Sequence, residues 1–226
     1  MLPKRLMACA ALVRRGAKVC DVGTDHALLP CYLAKEGISP AVIASDVNEK
    51  PLLGAARTIL QEGCTQTVTT RLSDGLAAIS PEEADDVIVA GMGGELIARI
   101  VLSADWCRNE QKRFILQPMT QAPILRTALC AAGFSLLDET TVEENGHFYT
   151  ILWVQYTGNC EELTTLQSWA GAHAAHPTGE SAAYLRHQQQ RVQKIAEGMA
   201  KAAHPKTQEM EELADGLGRL WKEGEG

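Results

Sequence analysis

Two carboxylates flank a tight turn near the start of the chain, within KVCDVGTDHALLP at positions 18–30. Asp21 and Asp25 lie on either side of Gly23. They would repel a pyrophosphate in a partly dehydrated cleft, and the turn lacks the G-x-G-x-x-G glycines that a dinucleotide needs. S-adenosylmethionine has a sulfonium and an ammonium against one carboxylate, so the acidic turn suits that cationic cofactor. In the alternative interpretation, Asp25 or Thr24 only caps a helix and Asp21 is a solvated strand end.

Further carboxylates and glycines follow three later apolar runs. Asp46 ends the second run, where a carboxylate can accept hydrogen bonds from both ribose hydroxyls of a nucleoside. Asp74 follows a β-branched run and is placed to meet an adenine amino group, while Gly75 lets the backbone come close to a ligand. The segment GMGGE at 91–95 allows a similarly close approach, although glycine runs also occur in plain turns.

The elements that must position these residues alternate between strands and helices. This alternation implies a parallel, doubly wound α/β sheet, whose ligands bind at the carboxyl ends of the strands. The acidic and glycine sites all fall at such ends. The periodicity predicts strands at 19–22, 41–45, 67–72, 87–90 and 112–117 (stopped by Pro118), a hairpin of 134–142 with 147–155 around Asn145-Gly146, and helices at 6–13, 27–33, 50–61, 96–102 and 121–132.

The composition changes after position 156 to Gln, Glu, Ala and Arg, without a strand signal. Leu185, Val192 and Met199 recur every seven residues, with Ile195 between them, and a second apolar stripe runs over 210–220. This spacing predicts an antiparallel helical hairpin of coiled-coil type. We therefore expect two domains, at 1–156 and 157–226.

The composition also argues against several classes of protein. None of the apolar runs reaches the roughly 20 residues of a membrane span. The start of the chain is basic, but Arg14 and Arg15 stand where a signal peptide has its small-residue cleavage site, so we expect a cytoplasmic protein. The seven cysteines form no C-x-x-C pair, which predicts reduced core thiols and no metal site. A net charge of −7 argues against a wholly basic nucleic-acid binder but not against local basic patches.

Several motifs stand in an order that is typical of one family: DVGTDHALLP (21–30), ASDV (44–47), SDGL (73–76), AGMGGELI (90–97), LQPM (116–119) and NGHFYTILW (145–153). Over essentially its whole length, the chain resembles the bacterial TrmK family of tRNA (adenine(22)-N(1))-methyltransferases. The resemblance implies a class I, Rossmann-like sheet of seven strands with an antiparallel last strand, and a C-terminal helical coiled-coil domain. The chain has Asp46 where the family commonly has glutamate, and Leu28 where it has tyrosine.

The residues and the resemblance together predict one bound S-adenosylmethionine and a tRNA partner. Methylation of adenine N1 creates a cationic base, which a nearby carboxylate would stabilise. The predicted catalytic residues are Asp25, His26 and Glu95. The predicted cofactor-binding residues are Asp21, Gly23, Asp25, His26, Asp46, Val47, Asp74, Gly75, Gly91 and Met92. The predicted substrate-binding residues are Arg5, Arg14 and Arg15 in a basic collar with Lys4, Tyr149 as a stacking partner, and Arg186, Arg191 and Lys194 in the tail.

Competing functions stay open at this stage. The acidic first turn disfavours a nicotinamide-dependent dehydrogenase, and the intact acids at three strand ends disfavour a non-catalytic RNA-binding module. A methyltransferase of a small molecule or of another RNA position is the closer rival. An N-P-P-Y tetrad, typical of attack through an amino nitrogen, is absent after the fourth strand, which favours a ring nitrogen. We expect a monomer, with an oligomer as the alternative.

Overall fold

The computed structural model describes residues 2–175 and 179–225. Its strands are β1 (Val19–Val22), β2 (Val42–Asp46), β3 (Val68–Leu72), β4 (Asp86–Gly93), β5 (Arg113–Thr120), β6 (Phe134–Glu144) and β7 (His147–Tyr156). They form one sheet in the order β3-β2-β1-β4-β5-β7-β6. Strands β1 to β5 are parallel, and β7 is antiparallel to both of its neighbours. The predicted doubly wound, seven-stranded sheet is confirmed.

Helices cover both faces of this sheet. They are α1 (Lys4–Ala11), α2 (Leu28–Lys35), α3 (Glu49–Gln61), α4 (Gly94–Ser103), α5 (Ala122–Ala131), α6 (Thr165–Ala170), α7 (Gly179–Lys201) and α8 (Thr207–Glu225). Side chains of α1, α2 and α3 pack with Ile88, Ile115 and Ile151 on one face, while α4 and α5 pack with Val87 and Leu116 on the other. All seven cysteines are free and six are buried, as predicted for core thiols.

The fourth and fifth strands are longer than predicted. Strand β4 runs on through Gly91, Met92 and Gly93, and its register with β5 shifts on both sides of Met92. The expectation that Pro118 stops the fifth strand is wrong, because β5 continues to Thr120. Pairing of β5 with β7 ends at Leu116, so the missing N–H of Pro118 costs no ladder hydrogen bond on that side.

The β6–β7 hairpin has the predicted two-residue turn. Asn145 and Gly146 have φ values of 53° and 76°, the left-handed conformation that a tight hairpin turn requires. Because β7 is antiparallel to β5, the tip of this hairpin projects beyond the carboxyl ends of the parallel strands. The hairpin therefore forms one wall of the edge at which ligands were expected.

Helices α7 and α8 form the predicted helical hairpin. Leu185, Val192, Leu213 and Leu217 are buried in a cluster that also includes Phe148 of β7, so the tail packs on the sheet. Ile195, predicted in the apolar seam, is instead 38% exposed, and Ala196 takes the buried position. The boundary at 156/157 stays a prediction. In the described part of the chain, no helix combines the length and apolarity that crossing a membrane needs.

Candidate active site

The first turn is tied to the neighbouring strand by its backbone. The N–H groups of Gly23 and Thr24 both donate to the carbonyl oxygen of Ser45, at 2.8 Å each. Gly23 has a φ of 75°, a left-handed conformation that favours glycine, and the end of the Met92 side chain occupies the space that a Cβ would take. Asp21 lies beneath the turn with 7% exposure, and burial raises the pKa of its carboxyl to about 6. Asp21 is thus a buried acid, contrary to the interpretation of a solvated strand end.

Asp25 and His26 lie on the exposed part of the same turn. The His26 Nε2 is 3.3 Å from Asp25 Oδ1, and the two side chains are 62% and 87% exposed. His26 and Ala27 have positive φ values of 58° and 51°, which are unusual for residues with side chains and concentrate at functional sites. Helix α2 begins only after Ala27 and has no side-chain cap, so the interpretation of Asp25 or Thr24 as its cap is wrong.

The helix after this turn departs from one expectation. Leu28, predicted on the apolar face, is 46% exposed because α2 starts at this residue and its buried face is formed by Leu29 and Leu33. The His26 ring lies next to α3, where a Cβ added to Gly54 would be only 3.1 Å from His26 Nδ1. A glycine at position 54 therefore leaves the room that this ring occupies.

Asp46 and Asp74 lie at the ends of adjacent strands. One carboxylate oxygen of Asp46 accepts the Asn48 N–H at 2.7 Å, and the Asp46 carbonyl accepts the Ser73 N–H at 2.9 Å, which ties the two strand ends together. Val47 is 57% exposed beside them. Asp74 and Gly75 border a cleft of about 470 Å³ whose other wall includes Ile100 and Trp106. An acidic edge next to a cleft with aliphatic and aromatic side chains in its walls is suited to a nucleoside, with the ribose at the carboxylate and the base in the cleft.

The glycine-rich segment after β4 serves two purposes. Gly91, with a φ of 83°, donates its N–H to Gln117 Oε1 at 3.1 Å and is exposed to the site. Gly94 is buried, and a Cβ there would overlap the carbonyl group of Gln121. The later glycine thus permits close packing of α4 on the start of α5, whereas Gly91 and Met92 face the candidate cofactor edge.

Gln117 is a functional candidate that the sequence analysis did not select, although it lies in the LQPM motif. Its side chain is fully buried, and its Oε1 accepts from both Gly91 N and Arg5 Nη1, the latter at 3.2 Å. This single carboxamide holds the Arg5 guanidinium beside Gly91, at the strand-end edge. The signal in the sequence is a glutamine at the end of the apolar run FIL, since a polar side chain that is buried in a strand needs hydrogen-bond partners.

The predicted basic collar is split between opposite ends of the sheet. Arg5 and Lys4 lie at the candidate site, where Lys4 Nζ donates to the carbonyl oxygen of Glu143 in the hairpin. Arg14 instead binds the buried carboxylate of Asp86, the first residue of β4, with Nε 2.7 Å from Oδ1. Arg14 and Arg15 are thus adjacent to the amino ends of the strands, whereas Arg5 lies at their carboxyl ends. A role of the three arginines in substrate binding stays a prediction.

The other predicted site residues are spread over two surfaces. Glu95 is exposed in the first turn of α4, next to the glycine segment. Tyr149 is half-buried near the hairpin tip, with its ring centroid 6.5 Å from that of His147. Arg186, Arg191 and Lys194 are all exposed on α7. No cluster of three or more side chains in the described residues has the composition and geometry of a metal site.

Known proteins share both parts of this architecture. A family model described as a methyltransferase domain matches residues 2–152. The tRNA (adenine(22)-N(1))-methyltransferase of Bacillus subtilis is 33% identical over 222 residues, covering 95% of this chain and 93% of that protein. The crystal structure of B. subtilis TrmK is matched over 99% of this chain and 98% of that one, with 30% identity and a TM-score of 0.82. The chain belongs to the TrmK family.

One similar solved structure contains S-adenosyl-L-methionine, so the present site can be compared with the chemistry of that cofactor. A Streptococcus pneumoniae protein in complex with S-adenosyl-L-methionine is 31% identical, covers 98% of this chain and 100% of that one, and has a TM-score of 0.81. In the present chain, the turn at Gly23 has no Cβ, Asp21 is a buried carboxylate, Asp46 ends β2, and Asp74 borders a cleft that includes Ile100 and Trp106. These groups fit a cationic sulfonium, a ribose and an adenine.

Proposed function

We propose that this protein transfers a methyl group from S-adenosylmethionine to N1 of adenine 22 in tRNA. The observation that carries this proposal is the relationship to the B. subtilis enzyme over 95% of the chain, which includes both the sheet and the helical tail. The ordered acids at the ends of three strands support the choice of cofactor. We assign Asp46 to the ribose, Asp74 to the adenine, and Asp21 to the methionine end.

The chain's own groups account for the chemistry mainly by positioning. When bound, S-adenosylmethionine supplies the electrophilic methyl group. Adenine N1 has an in-plane lone pair, so the protein must extract the base from the tRNA fold and align it rather than supply a strong base. The methylated base is cationic, and Asp25 and Glu95 are the exposed carboxylates at this edge that can stabilise it. His26, paired with Asp25, is the proposed acceptor for a proton from the amino group.

Methylation of defined transcripts tests this function. Unmodified tRNA with adenosine at position 22 should yield 1-methyladenosine in a nuclease digest analysed by mass spectrometry, and a transcript with guanosine there should yield none. Modification at another adenosine, or of small molecules only, would refute the proposed substrate. We further propose that the enzyme acts in the cytoplasm as a monomer without a metal ion, which sedimentation and activity in the presence of a chelator would test.

A further inference from the structure

A groove of about 290 Å³ lies where the helical tail meets the carboxyl end of β5. Its walls include the rings of Phe148 and Trp169, and its floor includes the buried side chains of Tyr184 and Gln188. Ile124 at its rim is 44% exposed, so solvent reaches the opening. The predicted stacking partner Tyr149 does not line it, because successive residues of β7 point to opposite faces of the sheet.

The groove adjoins the candidate active site. Thr120 and Gln121 line it, and their side-chain oxygens are 3.4 and 3.6 Å from the Cβ position of Gly93. Pro118, another lining residue, pairs with Met92 across β4 and β5. Only the end of β5 would therefore separate a molecule in the groove from Gly91–Gly93 at the end of β4.

The charges around the groove suit an anion. Among its lining residues, all of which belong to the described part of the chain, Arg191 is the only charged one, although the whole chain carries −7. Arg191 lies 6.0 Å from the centroid of the Trp169 ring and donates to Gln188 Oε1 at 3.2 Å. The His187 ring lies next to the groove, with its centroid 5.2 Å from that of Phe148. Burial is the main cause that lowers the pKa of His187, and the nearby basic groups of Arg191, His147 and Lys194 lower this pKa further.

Aromatic rings next to a guanidinium are the means by which proteins hold unstacked nucleotides. A carboxamide such as that of Gln188 is also a group that can recognise a base edge. We propose that this groove binds an unstacked nucleotide of the substrate tRNA, with its base against Phe148 and Trp169 and its phosphate on Arg191. This proposal rests on the proposed function, since it places part of the tRNA beside the methyl-transfer edge.

Methylation kinetics with an unmodified tRNA transcript test the proposal. Trp169→Ala should raise KM for tRNA on the order of 5- to 150-fold, the equivalent of one lost base–aromatic stack. Ile124→Glu should raise KM as well, because it places a carboxylate at the opening. Since Ile124 is exposed, this variant keeps the test valid if Trp169→Ala unfolds. Both variants should keep the affinity for S-adenosylmethionine in calorimetry.

Matched controls separate the groove from general effects. Leu60→Glu introduces the same charge at a position on α3 that is 72% exposed and away from the groove, and it should leave KM unchanged. Lys222 is a second tail cation that lies over a tryptophan ring, that of Trp221, and it does not line the groove. Lys222→Ala should therefore leave KM for tRNA unchanged, whereas Arg191→Ala should raise it. Wild-type KM in Ile124→Glu and Arg191→Ala would overturn the proposal. If the wild-type protein itself leaves adenosine 22 unmodified, it is the proposed function that fails.

Discussion

Replacing Glu139 by glutamine should destabilise the junction between the sheet and the tail. Glu139 forms an ion pair with Arg126, and the two residues are 6% and 1% exposed. The carboxylate also accepts from the backbone N–H of Ala172 at 3.0 Å, and Arg126 donates to the Ser168 carbonyl at 2.6 Å and to Tyr184 Oη at 3.2 Å. The pair therefore connects α5 and β6 to the start of the tail.

The expected loss follows from the charge that remains. Glutamine keeps the shape of Glu139 but leaves the Arg126 guanidinium buried without a counter-charge, which costs about 3–5 kcal/mol. For a chain of this size, each 1 kcal/mol lowers Tm by roughly 2–4 °C, so Tm should fall by about 6–20 °C. Glu209→Gln removes one partner of an exposed pair, 4.0 Å from Lys206, and should cost less than about 1 kcal/mol.

Denaturation with heat and with urea measures both variants. Burial raises the pKa of Glu139, but the Arg126 charge and its hydrogen bond outweigh this and leave the pKa below the ordinary 4.5. The carboxylate's contribution is therefore complete above pH 4.5 and is lost as pH falls through the lowered value, so the deficit of Glu139→Gln should shrink in acid. The double change Arg126→Met with Glu139→Leu should recover part of the loss, because it removes the unpaired charge but leaves the Ala172 N–H and the Ser168 carbonyl without these partners. If Glu139→Gln lowers the free energy of unfolding by less than about 1 kcal/mol at pH 7, this reasoning is refuted.

Three other measurements address ligand binding. Asp46→Ala should weaken S-adenosylmethionine affinity by about 1.5–3 kcal/mol, through the loss of hydrogen bonds to a charged group, and unchanged affinity in calorimetry would exclude the ribose contact. Because burial raises the pKa of Asp21 to about 6, wild-type cofactor affinity should fall as pH drops through about 6, and Asp21→Asn should remove that dependence. Arg186→Ala with Lys194→Ala should reduce the slope of log Kd for tRNA against log salt by about 1.5 to 2, and an unchanged slope would exclude both from phosphate contact.

Local patterns predicted the ends of the first three strands well, but not the ends of β4 and β5 or the tertiary partners of the side chains. Apolar runs placed Asp21, Asp46 and Asp74 because strand periodicity and the doubly wound order fix where parallel strands end. Arg14 pairs with Asp86, which is far away in the sequence. The sequence therefore did not show that the charge of Arg14 already has a partner. Gln117 was missed for the same reason, since its partners Arg5 and Gly91 come from other elements.

The tail shows the same limit on a larger scale. Its heptad spacing predicted two packed helices, but not which face meets the sheet, and Ile195 was therefore assigned to the seam in place of Ala196. The groove beside β5 depends on that packing, because Trp169 and Arg191 reach Phe148 only when the tail folds back onto β7. A site between two segments of one chain leaves no contiguous motif in its sequence.

The sheet order also reconciles two opposite electrostatic demands. A cationic cofactor favours carboxylates, whereas a tRNA backbone is repelled by them. The order β3-β2-β1-β4-β5-β7-β6 places Asp74, Asp46 and Asp21 on one half of the edge, and the groove with Arg191 on the other half, beside β5 and β7. Strand β4 lies between the halves, with Gly91 at its end and Arg5 held above it by Gln117. Cofactor and tRNA can thus approach the end of β4 from opposite sides, and the methyl group is transferred where they meet.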